Sequence, residues 1–336
     1  MKAYQIVRPG LDGLEMVDLP SPKPGAGQVR VRIHAASLNY RDLMVVSGTY
    51  GRSPLKVPLI PLSDGAGEVL EVGSGVSDLK PGDRVIGNFF PNWIDGPPEP
   101  AKQEAALGGS VDGMLAEEVI LEAAAAVPIP KALSFEEAAT LPCAGLTAWI
   151  GLVELGALKK GQTVLALGTG GVSVFGLQIA KAYGCRVIVT SSSDEKLGRA
   201  KSLGADFLVN YRTHTDWDRL AREHTAGAGV DHVLEVAGGA TLEKSLASLK
   251  VGGHIVLIGM LSGSRADAEK ARANGKGIRV DSVYVGSVSY LRSFCAFVQD
   301  KGIKPVIDHA YAFGEARKAY EALKAAGHFG KIVIRV

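Results

Sequence analysis

The sequence predicts an α/β protein in which a β-rich domain is joined to a doubly wound parallel sheet. Up to about residue 125, polar and apolar residues alternate over short segments bounded by Gly and Pro. After Pro130, strand patterns alternate with helix patterns. Within this second part, an apolar strand pattern runs into the turn Gly168-Thr-Gly-Gly171, which opens directly into a helix pattern. The length of 336 residues suits two domains, each able to bury its own core.

The first part is predicted to hold short strands. Residues 28–34 alternate so regularly that their apolar side chains share one face, and His34 is expected on the opposite, solvated face. Further strands are predicted at 67–73 and 83–87. Residues 91–100 contain four prolines, which no regular element could accommodate, so this segment is predicted to be a loop.

The second part is predicted to repeat strand and helix units. Ser134 begins a capping-box sequence with Glu137, and Pro142 is expected to end or kink the helix that follows. The predicted strands after the glycine turn are 186–190, 207–210, 230–235 and 253–259, and the predicted helices are 194–203, 217–224 and 241–249. A final helix at 314–326 and a strand at 331–336 are expected to return to the first domain.

The glycine turn predicts a pyrophosphate site. Gly168 permits a tight turn, and Gly170 lets the backbone approach phosphates closely. Gly171 and Val172 begin the helix, whose N-terminus offers N–H groups and a positive dipole end. Ser173 takes the place of the usual third glycine and is small enough to keep helix and strand close. The strand before this turn and the helix after it make the pattern specific, although the chain has 42 glycines.

Composition narrows the class of protein. A net charge of +2 gives no footprint for nucleic acid or an anionic membrane surface. No apolar run is expected to reach the ~20 residues that span a bilayer, and the N-terminus reads as a first strand rather than a signal core. The three cysteines, Cys143, Cys185 and Cys295, are far apart, so buried free thiols are expected. A cytoplasmic location follows as the simplest interpretation.

Several segments together resemble the medium-chain dehydrogenase/reductase superfamily, and most closely its zinc-independent quinone and enone oxidoreductase branch. The resembling segments are residues 37–42, 61–67, 113–118, 141–148, the glycine turn and 328–331. The resemblance implies a chaperonin-10-like catalytic domain formed by 1–126 and 287–336. It also implies a Rossmann NADP-binding domain at 127–286, with a cleft between the two.

The resemblance also bears on metal binding. Relatives that oxidise alcohols hold zinc with a Cys, a His and a second Cys; these positions correspond to Asn39, Ser63 and Cys143 here. One thiolate cannot hold a catalytic zinc, which takes three protein ligands and a water. The loop 91–112 has no cysteine for a structural zinc. We therefore predict no metal.

For the cofactor, the residue that ends the second strand of the dinucleotide fold is informative. An NAD-binding unit usually has an acid there, whereas this chain has Ser191. Lys196 and Tyr211 match positions that hold a 2′-phosphate in quinone-reductase relatives, so NADP(H) is favoured. Asp194 is the competing ribose-binding acid, although it also suits a first helical turn. The resemblance adds four more cofactor-binding candidates, which are Thr147, Gly259, Gly286 and Lys331.

The resemblance implies hydride transfer without a Lewis acid, so hydrogen-bond donors must stabilise the developing oxyanion. The candidates are Asn39, Tyr40 and Tyr50, and the Tyr50 position is a proton donor in enoyl reductases. Each tyrosine could equally be a loop aromatic. Arg41 and Asp42 are expected to form a local ion pair. Quinone reductases usually have Pro after the Asn, whereas this chain has Tyr40, which weakens the quinone assignment.

These expectations favour an NADPH-dependent reductase of enones, enals or quinones. The alternatives are a medium-chain alcohol dehydrogenase, an enoyl-thioester reductase and, with less support, an NADPH-binding protein without catalytic activity. The substrate is expected to be a small carbonyl-conjugated molecule. By resemblance, the strand at Arg279 to Val285 is the edge through which a homodimer would extend the sheet.

Overall fold

The computed structural model describes residues 1–51, 54–239, 241–258, 269 and 275–336. The chain divides into two compact units, one formed by Met1–Leu146 with Val285–Val336 and the other by Thr147–Tyr284. The first boundary lies after Leu146 rather than after residue 126. The reason is that residues 126–128 pair with 85–87 in the first unit's sheet, and the helix at 135–138 packs on the same sheet.

The described elements are numbered along the chain. The strands are β1 Lys2–Ile6, β2 Leu14–Asp18, β3 Gln28–Ser37, β4 Asp64–Val72, β5 Arg84–Gly87, β6 Glu118–Glu122, β7 Ala126–Pro128, β8 Thr163–Leu167, β9 Arg186–Ser191, β10 Phe207–Asn210, β11 Val230–Glu235, β12 Leu249–Ile258, β13 Arg279–Val283, β14 Ile307–Ala312 and β15 Lys331–Arg335. The α-helices are α1 Tyr40–Val46, α2 Pro100–Gln103, α3 Phe135–Ala138, α4 Leu146–Trp149, α5 Gly171–Ala182, α6 Asp194–Ser202, α7 Trp217–Glu223, α8 Leu242–Ser248, α9 Val288–Lys301 and α10 Ala316–Ala325.

The first unit is built on a β-sheet with the strand order β14-β15-β3-β4-β5-β7, and β6 also pairs with β3. β15 runs antiparallel to β3, so the C-terminal segment returns to the first unit as expected. Val29, Val31 and Ile33 are buried, as the alternation in β3 predicts. His34 is not a freely solvated residue, because its ring stacks on Phe135 with the centroids 4.3 Å apart. Burial lowers the pKa of His34.

The second unit holds a six-stranded parallel sheet with the order β10-β9-β8-β11-β12-β13. From β8, the chain adds β9 and β10 on one side and then β11, β12 and β13 on the other side. The predicted doubly wound sheet is therefore confirmed. α5 follows β8 directly. The Ser173 hydroxyl in α5 donates to the Leu167 carbonyl at 2.6 Å, which ties the helix to the end of the strand.

Residues Phe135–Leu155 form a 21-residue helical segment that is long and apolar enough to cross a membrane by length and composition alone. However, 78% of its most apolar window is buried inside the protein, which is typical of a core helix. The Ser134 hydroxyl caps α3 by accepting the Glu137 N–H at 3.1 Å, as the sequence predicts. α3 ends at Ala138, and Pro142 lies in a π-helical turn, Leu141–Gly145, within the longer helical segment.

Two buried histidines connect the central strands of the second unit. His232 on β11 lies beside His254 on β12, with their Nδ1 atoms 3.2 Å apart. His232 Nε2 lies 3.1 Å from Gln162 Oε1, and His254 Nε2 lies 3.0 Å from Asp281 Oδ2 on β13. Burial lowers the pKa of each ring to about 4, helped by the charges of His254 on His232 and of Arg279 on His254.

We expect this pair to make the stability of the protein sensitive to acid. The folded pKa of each ring lies below the ordinary value of 6.5, so the stabilising effect of the neutral rings is complete above that pH and is lost as the pH falls toward 4. We expect the free energy of unfolding to fall by on the order of 1 to 3 kcal/mol between pH 7 and pH 5. Urea denaturation at both pH values measures this.

The double variant His232→Gln/His254→Gln should lose much of that pH dependence. His309→Gln, at an exposed position on β14, is the matched control and should keep it. A wild-type free energy that does not change between the two pH values would contradict the prediction.

Candidate active site

Three neighbouring strands of the first unit bring distant polar residues together. Asn39 follows the end of β3 and precedes α1, while Asp64 begins β4 and Lys331 begins β15. β3 lies between β4 and β15 and is antiparallel to both, so its end meets both of their beginnings. The sheet therefore gathers three polar side chains at one edge, although they are far apart in the sequence.

These residues form a hydrogen-bonded group, called the polar network below, which consists of Asn39, Ser63, Asp64 and Lys331. The Asn39 side-chain amide Nδ2 donates to Asp64 Oδ2 at 2.9 Å, and the Ser63 hydroxyl donates to Asp64 Oδ1 at 2.9 Å. The Lys331 ammonium donates to Asn39 Oδ1 and to the Leu38 carbonyl. Asn39 is 8% exposed, Lys331 3% and Asp64 0%.

The charges of the polar network balance each other. Burial raises the pKa of Asp64, and the Lys331 charge together with the hydrogen bonds from Asn39 and Ser63 counteracts this rise. A buried carboxylate without such partners would give up its charge by taking a proton. Lys331 is thus a structural partner of Asp64, a role that the sequence-based assignment to cofactor binding did not include.

By resemblance, Asn39, Ser63 and Cys143 correspond to the positions at which zinc-dependent relatives carry metal ligands, and these three residues do not fit zinc. Asn39 Oδ1 accepts from the Lys331 ammonium, and the Ser63 hydroxyl donates to Asp64. Burial, together with the Asp64 charge, raises the pKa of the Cys143 thiol, which disfavours the thiolate that binds metal. Across the part of the chain that the structure describes, no three His, Cys, Asp or Glu side chains are grouped to hold a metal ion.

Asp42 and Arg41 fix the start of α1. The Asp42 carboxylate accepts the Asn39 backbone N–H at 2.7 Å, which holds the residue that begins the polar network. Arg41 Nη1 lies 3.5 Å from Asp42 Oδ1 and donates to the Leu107 carbonyl at 2.8 Å, so the expected local ion pair is present. Burial raises the pKa of Asp42 to about 6, and the Arg41 charge opposes that rise.

Of the two candidate tyrosines, Tyr50 is half-buried and packs against the core of the first unit. The Arg41 guanidinium carbon is 4.5 Å from the Tyr50 ring centroid and 4.7 Å from that of Phe89. The Tyr50 hydroxyl is buried, and no hydrogen-bond partner for it is found among the described residues. Burial raises the Tyr50 pKa, so the hydroxyl stays protonated at neutral pH and can donate. Tyr40 is instead 50% exposed.

In the second unit, the turn between β8 and α5 has room for phosphates. Gly168 has φ 70°, a left-handed conformation that favours glycine. A Cβ added at Gly168 or Gly170 would meet no atom within 4 Å, so the space above the turn is open. Gly170 precedes Gly171 and Val172 at the helix start and provides no side-chain cap. The arrangement fits a pyrophosphate held by the N–H groups of α5.

The end of β9 presents a hydroxyl where NAD-binding proteins usually have a carboxylate. Ser191 is the last residue of β9 and is buried. The competing acid, Asp194, begins α6 and accepts a hydrogen bond from Asn210 Nδ2 at 2.8 Å. Lys196 lies in the first turn of α6, and Tyr211 is an exposed residue directly after β10. These positions are compatible with binding of a 2′-phosphate.

The remaining cofactor-binding candidates are Thr147, Gly286 and Gly259. Thr147 is buried in α4, and the Gly286 carbonyl accepts a hydrogen bond from Asn88 Nδ2 at 3.3 Å. Gly259 lies outside the described residues. Sequence reasoning did not identify Asp64 as a functional residue. Its one signal was a carboxylate directly before the uncharged, glycine-rich residues 65–67 of β4.

Known proteins resemble this chain along its length. Residues 25–131 match the family model of the alcohol dehydrogenase GroES-like domain, and residues 171–300 match that of zinc-binding dehydrogenase. A zinc-type alcohol dehydrogenase-like protein of Schizosaccharomyces pombe is 43% identical over 97% of this chain and 96% of its own length. An acryloyl-coenzyme A reductase of Metallosphaera sedula is 31% identical over 99% of both chains. The solved structure of an NAD-dependent alcohol dehydrogenase matches with a TM-score of 0.89 and 37% identity, covering 100% of each chain.

Proposed function

The chain belongs to the medium-chain dehydrogenase/reductase superfamily, and from this premise we propose that it is an NADPH-dependent, zinc-independent reductase. Its substrate would be a carbon–carbon double bond conjugated with a carbonyl, as in an enone or enal, or a quinone. The observation that carries this proposal is the composition of the polar network, in which Asn39 and Ser63 replace metal ligands and Lys331 supplies the buried positive charge.

The chemistry follows from the donors that the first unit provides. Bound NADPH would supply the hydride. When a hydride adds to the carbon conjugated with a carbonyl, negative charge moves to the carbonyl oxygen, and N–H or O–H donors stabilise that charge. One of the two Asn39 Nδ2 hydrogens is used by Asp64, which leaves the other for a substrate oxygen. Tyr50 would then donate the proton that completes the reduction.

NADPH rather than NADH is supported by the end of β9. The Ser191 hydroxyl can hydrogen-bond a 2′-phosphate, whereas an aspartate there would repel it. Asp194 is already hydrogen-bonded to Asn210, which lowers its availability as a ribose ligand. The resemblance to an NAD-dependent alcohol dehydrogenase keeps NADH and alcohol oxidation as an alternative.

A second candidate substrate class is an enoyl thioester. It is favoured by the full-length similarity to an acryloyl-coenzyme A reductase. Such a substrate is also an activated double bond, so Asn39 and Tyr50 would have the same roles.

A substrate panel together with metal analysis tests the proposal. We expect NADPH oxidation with enals, enones, quinones or acryloyl thioesters, and less than a tenth of an equivalent of zinc in the active protein. Activity confined to primary or secondary alcohols, with a full equivalent of zinc, would contradict it. NADPH binding without turnover on any substrate would instead indicate a binding protein.

Tyr50→Phe tests the proton donor. We expect kcat for enone reduction to fall by about 10²- to 10⁴-fold, because a positioned general acid contributes on that order. The Kd for NADPH, measured by fluorescence titration, should not change. Tyr311→Phe, in β14, is the matched control and should leave kcat unchanged. Loss of activity in Tyr40→Phe but not in Tyr50→Phe would indicate that Tyr40, and not Tyr50, is the proton donor.

Ser191→Asp tests cofactor choice. We expect the Kd for NADPH to rise by about 10- to 100-fold, because two negative charges in a partly desolvated site repel each other. The Kd for NADH should change by no more than a few fold. Ser293→Asp adds the same charge at an exposed position on α9 and is the control. Equal weakening of both cofactors would show that Ser191 does not distinguish the phosphate.

A cytoplasmic homodimer is part of the same proposal. β13 is an edge strand of the six-stranded sheet among the described residues, so a second copy could extend the sheet there. All three cysteines are free thiols, which is consistent with a reducing compartment. Light scattering after size-exclusion chromatography should give twice the chain mass; a monomer at micromolar concentration would contradict the dimer.

A further inference from the structure

Lys331 is a buried cation whose partners are acceptors on one short segment. Its ammonium donates to the Leu38 carbonyl and to the Asn39 side-chain oxygen, and the Lys331 side chain is almost completely buried. An ammonium is strongly hydrated in water, so its burial is costly unless hydrogen bonds and an opposite charge replace the lost water. The two acceptors and Asp64 provide that compensation. The arrangement holds a fixed positive charge next to Asn39.

The neighbours of Asn39 determine the orientation of its amide. An ammonium can only donate, so the side-chain oxygen must face Lys331. A carboxylate can only accept, so the side-chain nitrogen must face Asp64, with Nδ2 to Oδ2 at 2.9 Å. In the reverse orientation, the amide NH₂ would face the Lys331 ammonium and the amide oxygen would face the Asp64 carboxylate, so that donor would meet donor and acceptor would meet acceptor. Lys331 and Asp64 therefore hold the amide in one orientation, with one Nδ2 hydrogen remaining.

A cation on the amide oxygen also changes the strength of the amide as a donor. Hydrogen bonds in a chain polarise one another, and the effect is larger where the surroundings have a low dielectric constant. An ammonium at Oδ1 withdraws electron density from the amide and makes its Nδ2 hydrogens better donors. This is the assistance that an oxyanion needs from a site with no metal ion.

We propose that Lys331 is a positioning residue that orients and polarises the Asn39 amide, so that a fixed ammonium replaces the positive charge a zinc ion provides in zinc-dependent members of the superfamily. This inference rests on the proposed function and extends it. It differs from the sequence-based expectation that Lys331 binds the cofactor. In a cofactor-binding role, Lys331 would affect NADPH affinity; in the role proposed here, it affects turnover through Asn39.

Steady-state kinetics of Lys331→Met, Asn39→Ala and the double variant test this role. We expect Asn39→Ala to lower kcat by about 10²- to 10³-fold, as is typical for loss of one oxyanion donor. Lys331→Met should lower kcat by at least 10-fold and leave the Kd for NADPH within twofold of wild type. In the Asn39→Ala background, Lys331→Met should have little further effect, because the two residues act as one unit. Lys324→Met, at an exposed position on α10, is the matched control.

Lys331→Met leaves Asp64 without its countercharge and could fail to fold. For that case Asp64→Asn/Lys331→Met removes both charges and is compared with Asp64→Asn alone. Circular dichroism verifies folding of each variant before kinetics. The kcat of the double variant should again be at least 10-fold below that of Asp64→Asn.

Selective ¹⁵N-asparagine labelling provides a measurement that needs no substrate. The side-chain amide signals of Asn39 are assigned by their loss in Asn39→Ala. They should shift in Lys331→Met, or in Asp64→Asn/Lys331→Met relative to Asp64→Asn, and they should not shift in Lys324→Met. If the wild type reduces no compound of the panel, the proposed function fails, while these signals still test the Lys331 contact.

Three results would each overturn the proposal. The first is an NADPH Kd that rises by the same factor as kcat/KM falls in Lys331→Met, which would return Lys331 to cofactor binding. The second is a set of independent, multiplicative losses of kcat from Lys331→Met and Asn39→Ala. Unshifted Asn39 amide signals would be a third such result.

Discussion

The first unit's candidate active site depends on keeping the Asp64 carboxylate charged in a fully buried position. That requirement explains why an amide, a hydroxyl and an ammonium converge on or near one side chain. Removing one partner from such a group leaves a buried charge or donor uncompensated. This destabilises the protein more than replacing the whole group by apolar side chains would. The orientation of Asn39 is a consequence of this balance.

Much of the fold could be predicted from local sequence patterns. The ends of β10 and β11 agree with the pattern-based limits, and a glycine shortly before each strand, Gly204 and Gly229, marks the preceding turn. The turn at Gly168 was recognisable because its conformation depends on neighbouring residues only. The helical segment Phe135–Leu155 was not anticipated at its full length, since Pro142 suggested an interruption that the chain accommodates as a π-helical turn.

The polar network could be predicted only in part, because its contacts are long-range. Asn39 and Asp64 are 25 residues apart, and Asn39 and Lys331 are 292 apart. No periodicity records such a contact; it appears only when β3 is placed between β4 and β15. The resemblance to a family drew attention to Asn39 and Lys331 separately and assigned Lys331 to the cofactor. Their direct hydrogen bond shows a partnership that neither residue's motif indicates. The matching family model is described as a zinc-binding dehydrogenase, and such a match reports the fold. The chemistry of a site depends instead on its individual side chains.

The place of β15 in the sheet also has a consequence for biosynthesis. Because the ammonium on the polar network is contributed by residue 331, an emerging polypeptide cannot complete this group until translation has passed that codon. Until then, Asp64 and Asn39 lack their cationic partner, and the polar network of the ribosome-bound chain is incomplete. A chain that ended before β15 would contain every described strand of the second unit but would lack the Lys331 partner of Asn39 in the first unit.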